Sequence, residues 1–177
     1  MNATSLRELF VEELKDLYDA ENQLIEALPN MAEASMSADL RNAFQEHLEQ
    51  TRNHATRLEQ VFQIAGEKPK KGDCKAMTGL IKEGNQLIKD IDQEEVRDAA
   101  LISAAQRVEH YEISGYGTLR TWAGLLGLND AEQLLQETLE EEKQADEKLN
   151  EIAESANVEA GGTATGTTRK PRPSEAA

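Results

Sequence analysis

Glu21 and Glu112 each sit in the middle of an apolar helical stripe. Around Glu112, the residues Leu101, Ala105, Val108, Gly115, Leu119, Trp122 and Leu126 alternate steps of four and three, which places them on one face of a helix. Moving back 91 positions gives Phe10, Leu14, Leu17, Leu24 and Leu28, the same stripe, with Glu21 in the place of Glu112. At that offset Phe44 also pairs with Leu135, Leu48 with Leu139, Leu58 with Leu149 and Val61 with Ile152. The chain reads as two copies of one helix pair, each with a glutamate in its buried face. An unpaired buried carboxylate costs several kcal/mol, so such a residue calls for a proton, a partner or a cation.

If the two copies pack about a pseudo-twofold axis, Glu21 and Glu112 face each other across the core. The inward polar positions of the partner helices lie 30 and 33 residues further on: Thr51 and His54 in the first copy, Glu142 and Ala145 in the second. Di-metal sites in helical bundles take one Glu from each of two helices and a Glu-x-x-His from each of the other two, because residues i and i+3 share a helix face. This chain has the His of one such motif and the Glu of the other. Glu109, one turn before Glu112, and Asp146, one turn after Glu142, point toward the same level, whereas Gln50 and Glu141 are less well aimed. The candidate ligands are therefore Glu21, His54, Glu109, Glu112, Glu142 and Asp146. Five carboxylates in one small volume need cations or several protons. Oxygen-rich ligation favours iron or manganese over copper.

Blander readings compete. A single Glu on an apolar stripe is ordinarily a helix-end or interface residue, and it is the repetition at mid-stripe that argues for chemistry here. His47 and His110 read as surface or boundary residues. Tyr18, Tyr111 and Tyr116 read as packing at the core edge, with Tyr18 in the repeat position of Glu109. Within Glu140-Glu141-Glu142 only Glu142 falls on the stripe, and the run is otherwise a solvated face.

The elements that must position these residues can be read in order. Ser5-x-x-Glu8 has capping-box spacing and opens a helix to about Ala34, which Pro29 is expected to bend or break in its last turn. Ser37 caps a second helix carrying Leu40, Phe44, Leu48, Thr51, Ala55, Leu58 and Phe62, which ends before Gly66. After a basic loop over residues 66–73, a weaker helix over residues 75–90 belongs to the connection, and its Met77, Leu80, Ile81 and Ile88 offer an apolar surface for a second copy of the chain. Asp92-x-x-Glu95 opens a helix to Leu126, and Asn129-x-x-Glu132 opens the last, to about Ala156. Residues 157–177 lack apolar periodicity and read as a disordered tail after a bundle over residues 1–156. The fold class is all-α: a ferritin-like four-helix bundle with an additional short helix in the crossover connection.

Composition agrees. A chain of 177 residues is about one domain, and 38% apolar, 30% charged and 4% aromatic residues with 11 Gly and 4 Pro favour helices over a sandwich or barrel. The net charge of −15 repels phosphate backbones and argues against nucleic acid. One cysteine, Cys74, rules out an internal disulfide and suits a reducing compartment. With no long apolar run, the expectation is a cytoplasmic protein without a membrane span.

Several motifs carry a family resemblance. Leu17-Tyr18-Asp19-Ala20-Glu21, His47-Leu48-Glu49-Gln50-Thr51, Arg97-Asp98-Ala99-Ala100-Leu101-Ile102, Val108-Glu109-His110-Tyr111-Glu112, Tyr116-Gly117-Thr118-Leu119 and Thr138-Leu139-Glu140-Glu141-Glu142-Lys143 with Asp146 resemble the YciE/YciF-type bacterial stress proteins of the ferritin-like superfamily. The resemblance covers roughly residues 5 to 155. It implies a homodimeric bundle with a di-iron or di-manganese centre, related in fold to rubrerythrins and manganese catalases. One departure stands out: where the family's second helix reads His-Leu-Glu-Glu-Thr this chain has Gln50, and it carries His54 where relatives often have Gln.

Two functions follow from these readings. In the first, two iron or manganese ions reduce or disproportionate peroxide, or consume oxygen, during stress, with Glu21 and Glu112 as symmetric ligands, Glu109 and Glu142 as bridging or terminal carboxylates and His54 as a nitrogen ligand. In the second, the protein is a non-catalytic dimeric helical stress protein with a vestigial or weak metal site.

Overall fold

The computed structural model describes residues 3–163, which form five helices: α1 (Leu6–Ala34), α2 (Ala38–Ile64), α3 (Lys75–Asp90), α4 (Glu94–Leu125) and α5 (Asn129–Thr163). Helices α1 and α2 pair as one hairpin and α4 and α5 as the other; α2 then packs on α5 and α1 on α4. The 91-residue repeat sets the boundaries, for α1 ends at Ala34 and α4 at Leu125, while α2 begins at Ala38 and α5 at Asn129. Helix α3 lies in the crossover, against α1 and α4. This is the ferritin-like arrangement of two hairpins with one long connection.

The caps follow the sequence with local changes. Ser5 Oγ accepts from the Glu8 amide at 3.2 Å, while the Glu8 carboxylate accepts from the amide and hydroxyl of Thr4 at 2.6 and 2.8 Å. Ser37 caps α2 through Leu40 N at 3.4 Å, and its own amide and that of Met36 donate to the buried Asp98 at 2.8 and 3.0 Å, which ties the α1–α2 turn to α4. Helix α1 runs unbroken past Pro29 to Ala34. Helix α4 starts at Glu94 rather than at Asp92, and Gln93 precedes it without a side-chain cap, so the expected capping box is not formed. Gly66 and Gly127 adopt left-handed φ values of 75° and 73°, and Glu67 N to Phe62 O and Leu128 N to Ala123 O, each 2.9 Å, close the Schellman turns.

Two readings shift. Helix α5 continues to Thr163, beyond the expected end at Ala156. Ala156 is the last buried residue among those described and Val158 is 74% exposed, so the extension adds little to the core. The remainder of the expected tail lies outside the described residues. The apolar face of α3 is used within the chain: Met77 is fully buried, and Leu80, Ile81 and Ile88 pack on a core cluster with Leu24, Leu101 and Val108. Leu80, Ile81 and Ile88 stay partly exposed.

The interior has three levels. One apolar cluster contains Leu24, Leu28, Leu40, Phe44, Leu101 and Leu149; the other contains Phe10, Leu14, Leu58, Phe62, Leu119 and Leu135. Both Glu stripes cross between them, and there the buried residues are Glu21, His47, Thr51, His54, Glu109, Glu112 and Glu142. Apolar packing above and below holds the four helices in register at that polar level.

Candidate metal centre

Four helices each send side chains to this level. Helix α1 supplies Glu21, α2 supplies His47 and His54, α4 supplies Glu109 and Glu112, and α5 supplies Glu142. They fall into two groups whose ligand atoms all lie within 4.8 Å of one another: His47, Glu109, Glu112 and Glu142 in one, and Glu21, His54 and Glu142 in the other. Glu142 is common to both. Within the first group His47 Nε2 lies 3.4 Å from Glu109 Oε1 and 3.9 Å from Glu142 Oε2. Within the second His54 Nδ1 lies 2.9 Å from Glu142 Oε1 and 3.7 Å from Glu21 Oε1.

These approaches are not hydrogen bonds in direction. Glu21 Oε2, His47 Nε2, His54 Nδ1, Glu109 Oε2 and both oxygens of Glu112 and of Glu142 are buried without a hydrogen-bond partner among the described residues. Such atoms are rare in folded proteins, and eight from six side chains in one layer mark a place built for something other than protein–protein hydrogen bonds. A cation satisfies lone pairs that point to a common centre, so this donor set fits one.

The outer shell is satisfied by contrast. His54 Nε2 meets Glu141 Oε2 at 2.7 Å, and Arg57 holds Glu141 by a two-pronged pair at 2.6 and 2.8 Å. His47 Nδ1 faces the acceptor Gln50 Oε1 at 3.4 Å. In both histidines the outer nitrogen faces an acceptor, which assigns its proton there and leaves the inner nitrogen's lone pair for a ligand role. The Tyr116 hydroxyl donates to Glu21 Oε1. Thr51, one turn after His47, donates to its backbone oxygen at 2.8 Å.

Protonation follows from burial. Burial raises the Glu21 carboxyl to about 8, and Glu142 adds to the effect while His54 and the Tyr116 hydroxyl oppose it. Burial, with Glu142 next, pushes Glu109 and Glu112 well above the usual carboxylate range. Burial pulls His54 down, but the Glu142 carboxylate beside its Nδ1 and the charge of Glu21 outweigh that and bring it to about 9. Burial lowers His47, which favours its neutral form. Without a cation the layer is thus held by protons; a cation would displace them.

The sequence candidates Glu21, His54, Glu109, Glu112 and Glu142 meet in the two groups. Asp146 does not: it lies 18% exposed at the edge, accepting from Gln106 at 3.2 Å and facing His110 at 3.5 Å. The reading of His47 as a surface or boundary residue is corrected, since it is buried and aimed into the first group. Steps of three and four from Phe44 lead to His47, Thr51, His54 and Leu58, a register that sets both histidines on one helix face, whereas the stripe through Leu48 leaves His47 off it. Tyr116 is also corrected: it is fully buried and bonded to Glu21 rather than packed at the core edge. Tyr18 and Tyr111 turn away, to Glu59 at 2.7 Å and Asp16 at 2.5 Å.

Two antiparallel hairpins enclosing a layer of carboxylates and histidines define a ferritin-like protein with a candidate metal centre. The chain belongs to the family described as a domain of unknown function (DUF892), which matches residues 5–161. Over 154 residues it is 48% identical to protein YciF of Escherichia coli (strain K12), covering 86% of this chain and 93% of that protein. The crystal structure of the E. coli stress protein YciF has a TM-score of 0.85 at 46% identity, covering 88% of this chain and 99% of that one. YcfI from Rhodopseudomonas palustris has a TM-score of 0.81 at 44% identity, over 83% and 94% of the two chains. A two-domain protein containing DJ-1/ThiJ/PfpI-like and ferritin-like domains from Anabaena variabilis, at 17% identity and TM-score 0.55, matches over 98% of this chain and 42% of that one, and shares the fold alone.

Proposed function

We propose that this protein binds two iron or manganese ions in the polar layer and acts on a small oxidant, peroxide or oxygen, in the stress response. The observation that carries the reading is the sharing of Glu142 between two donor groups whose inward atoms have no other partner among the described residues. Glu21, His54 and Glu142 would hold one ion; His47, Glu109, Glu112 and Glu142 would hold the other. Bound metals of this kind supply redox change and Lewis acidity toward an oxygen ligand. The chain's own part is to orient and to exclude water: Arg57 and Glu141 fix His54, Gln50 fixes His47, Tyr116 fixes Glu21, and the apolar clusters close the layer on two sides. A homodimer and a cytoplasmic setting belong to the same proposal. The free, buried Cys74 agrees with a reducing compartment, and among the described residues no helix is long and apolar enough to cross a membrane.

A second reading, a non-catalytic helical stress protein with a vestigial site, is favoured by one observation. Thr51 and Ala145 leave each Glu-x-x-His pattern half complete, and protons alone can close the layer. Titration of manganese into wild type and Glu142→Gln separates the two. Two ions bound by the wild type and a loss of at least one in the variant support the di-metal reading; binding that Glu142→Gln leaves unchanged refutes it. Peroxide consumption by the loaded wild type then distinguishes turnover from storage of the metal.

A further inference from the structure

Glu21 and Glu112, one in each donor group, are related by the internal repeat, yet the surroundings of the two groups differ at three repeat-related places. On one side His54 reaches Glu141 at 2.7 Å, and Arg57 locks Glu141 through two nitrogens. The residues 91 positions away from His54 and Arg57 are Ala145 and Lys148, and the residue 91 positions before Glu141 is Gln50. So the imidazole becomes a methyl group, the carboxylate an amide, and the guanidinium a flexible ammonium that faces Glu151 at 4.0 Å on the surface. All three components of the seal are absent together on this side.

A cavity of about 160 Å³ lies there, between α2 and α5, at the size that accommodates a molecule as large as benzene. Its floor is His47 and Glu109, its walls include Phe44, Leu149 and Ala145, and the exposed Lys148 stands at its rim. The floor residues belong only to the group of His47, Glu109, Glu112 and Glu142.

We infer that this cavity is the port by which a small exogenous ligand of the peroxide class reaches one cation position only, and that Ala145 is the residue that keeps it open. The other position, behind His54, Glu141 and Arg57, serves as the closed partner. The volume excludes large ligands, and the polar side chains Gln50 and Gln144 beside Phe44 and Leu149 suit a small polar one. The inference rests on the di-metal reading and adds to it which ion meets the substrate.

The test is a titration of azide, standing in for the oxygen end of a peroxide, into iron-loaded, air-oxidised protein, read by the azide-to-iron charge-transfer absorbance. Iron content is measured on the same samples. Wild type is expected to bind azide, and Ala145→Leu, which fills the cavity without adding a ligand, is expected to keep its iron and bind azide at least about tenfold more weakly. Equal azide affinity in both, with iron content unchanged, overturns the port while leaving the metal centre standing. Iron-loaded wild type that binds no azide overturns it likewise. A wild type that takes up no iron overturns the metal reading and the port with it. Should Ala145→Leu lose its iron, Ala43→Leu narrows the same cavity from α2 at a residue that is not itself a candidate ligand; weakened azide binding there supports the port, and unchanged azide binding or loss of iron in this variant as well overturns it.

Discussion

Replacing Glu112 with leucine should stabilise the metal-free protein and lose most or all of that advantage once metal is bound. Glu112 is fully buried, neither of its oxygens has a hydrogen-bond partner among the described residues, and burial pushes its carboxyl well above the usual carboxylate range, which favours the protonated form. A buried polar group left unsatisfied costs about 1–3 kcal/mol, and exchanging such a group for an apolar one of similar size removes that cost. Metal-free Glu112→Leu should therefore be more stable than the metal-free wild type by about 1–3 kcal/mol, or about 2 °C or more in melting temperature for a bundle of this size. With manganese at a hundredfold excess over Kd the wild type gains about 2.7 kcal/mol, and the variant, lacking the Glu112 oxygens, gains much less. The order of the two proteins narrows to a tie or inverts. Four thermal melts, each protein with chelator and with manganese, read the effect directly. A metal-free variant that melts below the metal-free wild type, together with equal manganese responses, would refute the reasoning.

Metal-free protein should lose stability as pH rises. Glu21 is raised from 4.5 to about 8 and His54 from 6.5 to about 9, so each contributes stability fully present below its lower value and lost through its higher one; chelated protein should melt lower at pH 9 than at pH 5.5, and the opposite slope contradicts the assignment. Manganese-induced stabilisation should run the other way and grow between those pH values, because cations displace the same protons. Tyr116→Phe removes the hydroxyl bonded to Glu21 and should weaken one of the two manganese affinities by about 10–100-fold in a calorimetric titration, against no change if Glu21 holds no ion. Asp98→Ala leaves the Met36 and Ser37 amides without their acceptor and should cost about 2–4 kcal/mol, seen as a fall of about 5 °C or more in melting temperature with manganese stoichiometry intact.

The fold was legible because the repeat and the punctuation agree. Alternating steps of three and four define the buried faces of α1 and α4, Ser5, Ser37, Gly66 and Gly127 mark ends, and the 91-residue offset aligns the two turns. The glutamates were legible for the same reason, since a charge at mid-stripe conflicts with its apolar neighbours. His47 was not, because His47 and Leu48 are adjacent and a stripe advancing by three or by four admits either; the rotation of α2 about its axis, fixed by tertiary packing, buries the first and leaves the second half-buried. Asp146 was over-read on the same ground, as one turn beyond Glu142 the face has already rotated toward Gln106 and His110. The bond from Tyr116 to Glu21 spans 95 residues between two helices and leaves no local trace in the sequence.

The most direct test of the centre is elemental analysis of full-length protein purified without chelator, then loaded with iron or manganese and freed of excess. Two ions per chain, both lost together or in part from Glu142→Gln, is the result that a shared Glu142 predicts. A wild type that retains no metal after loading would contradict it.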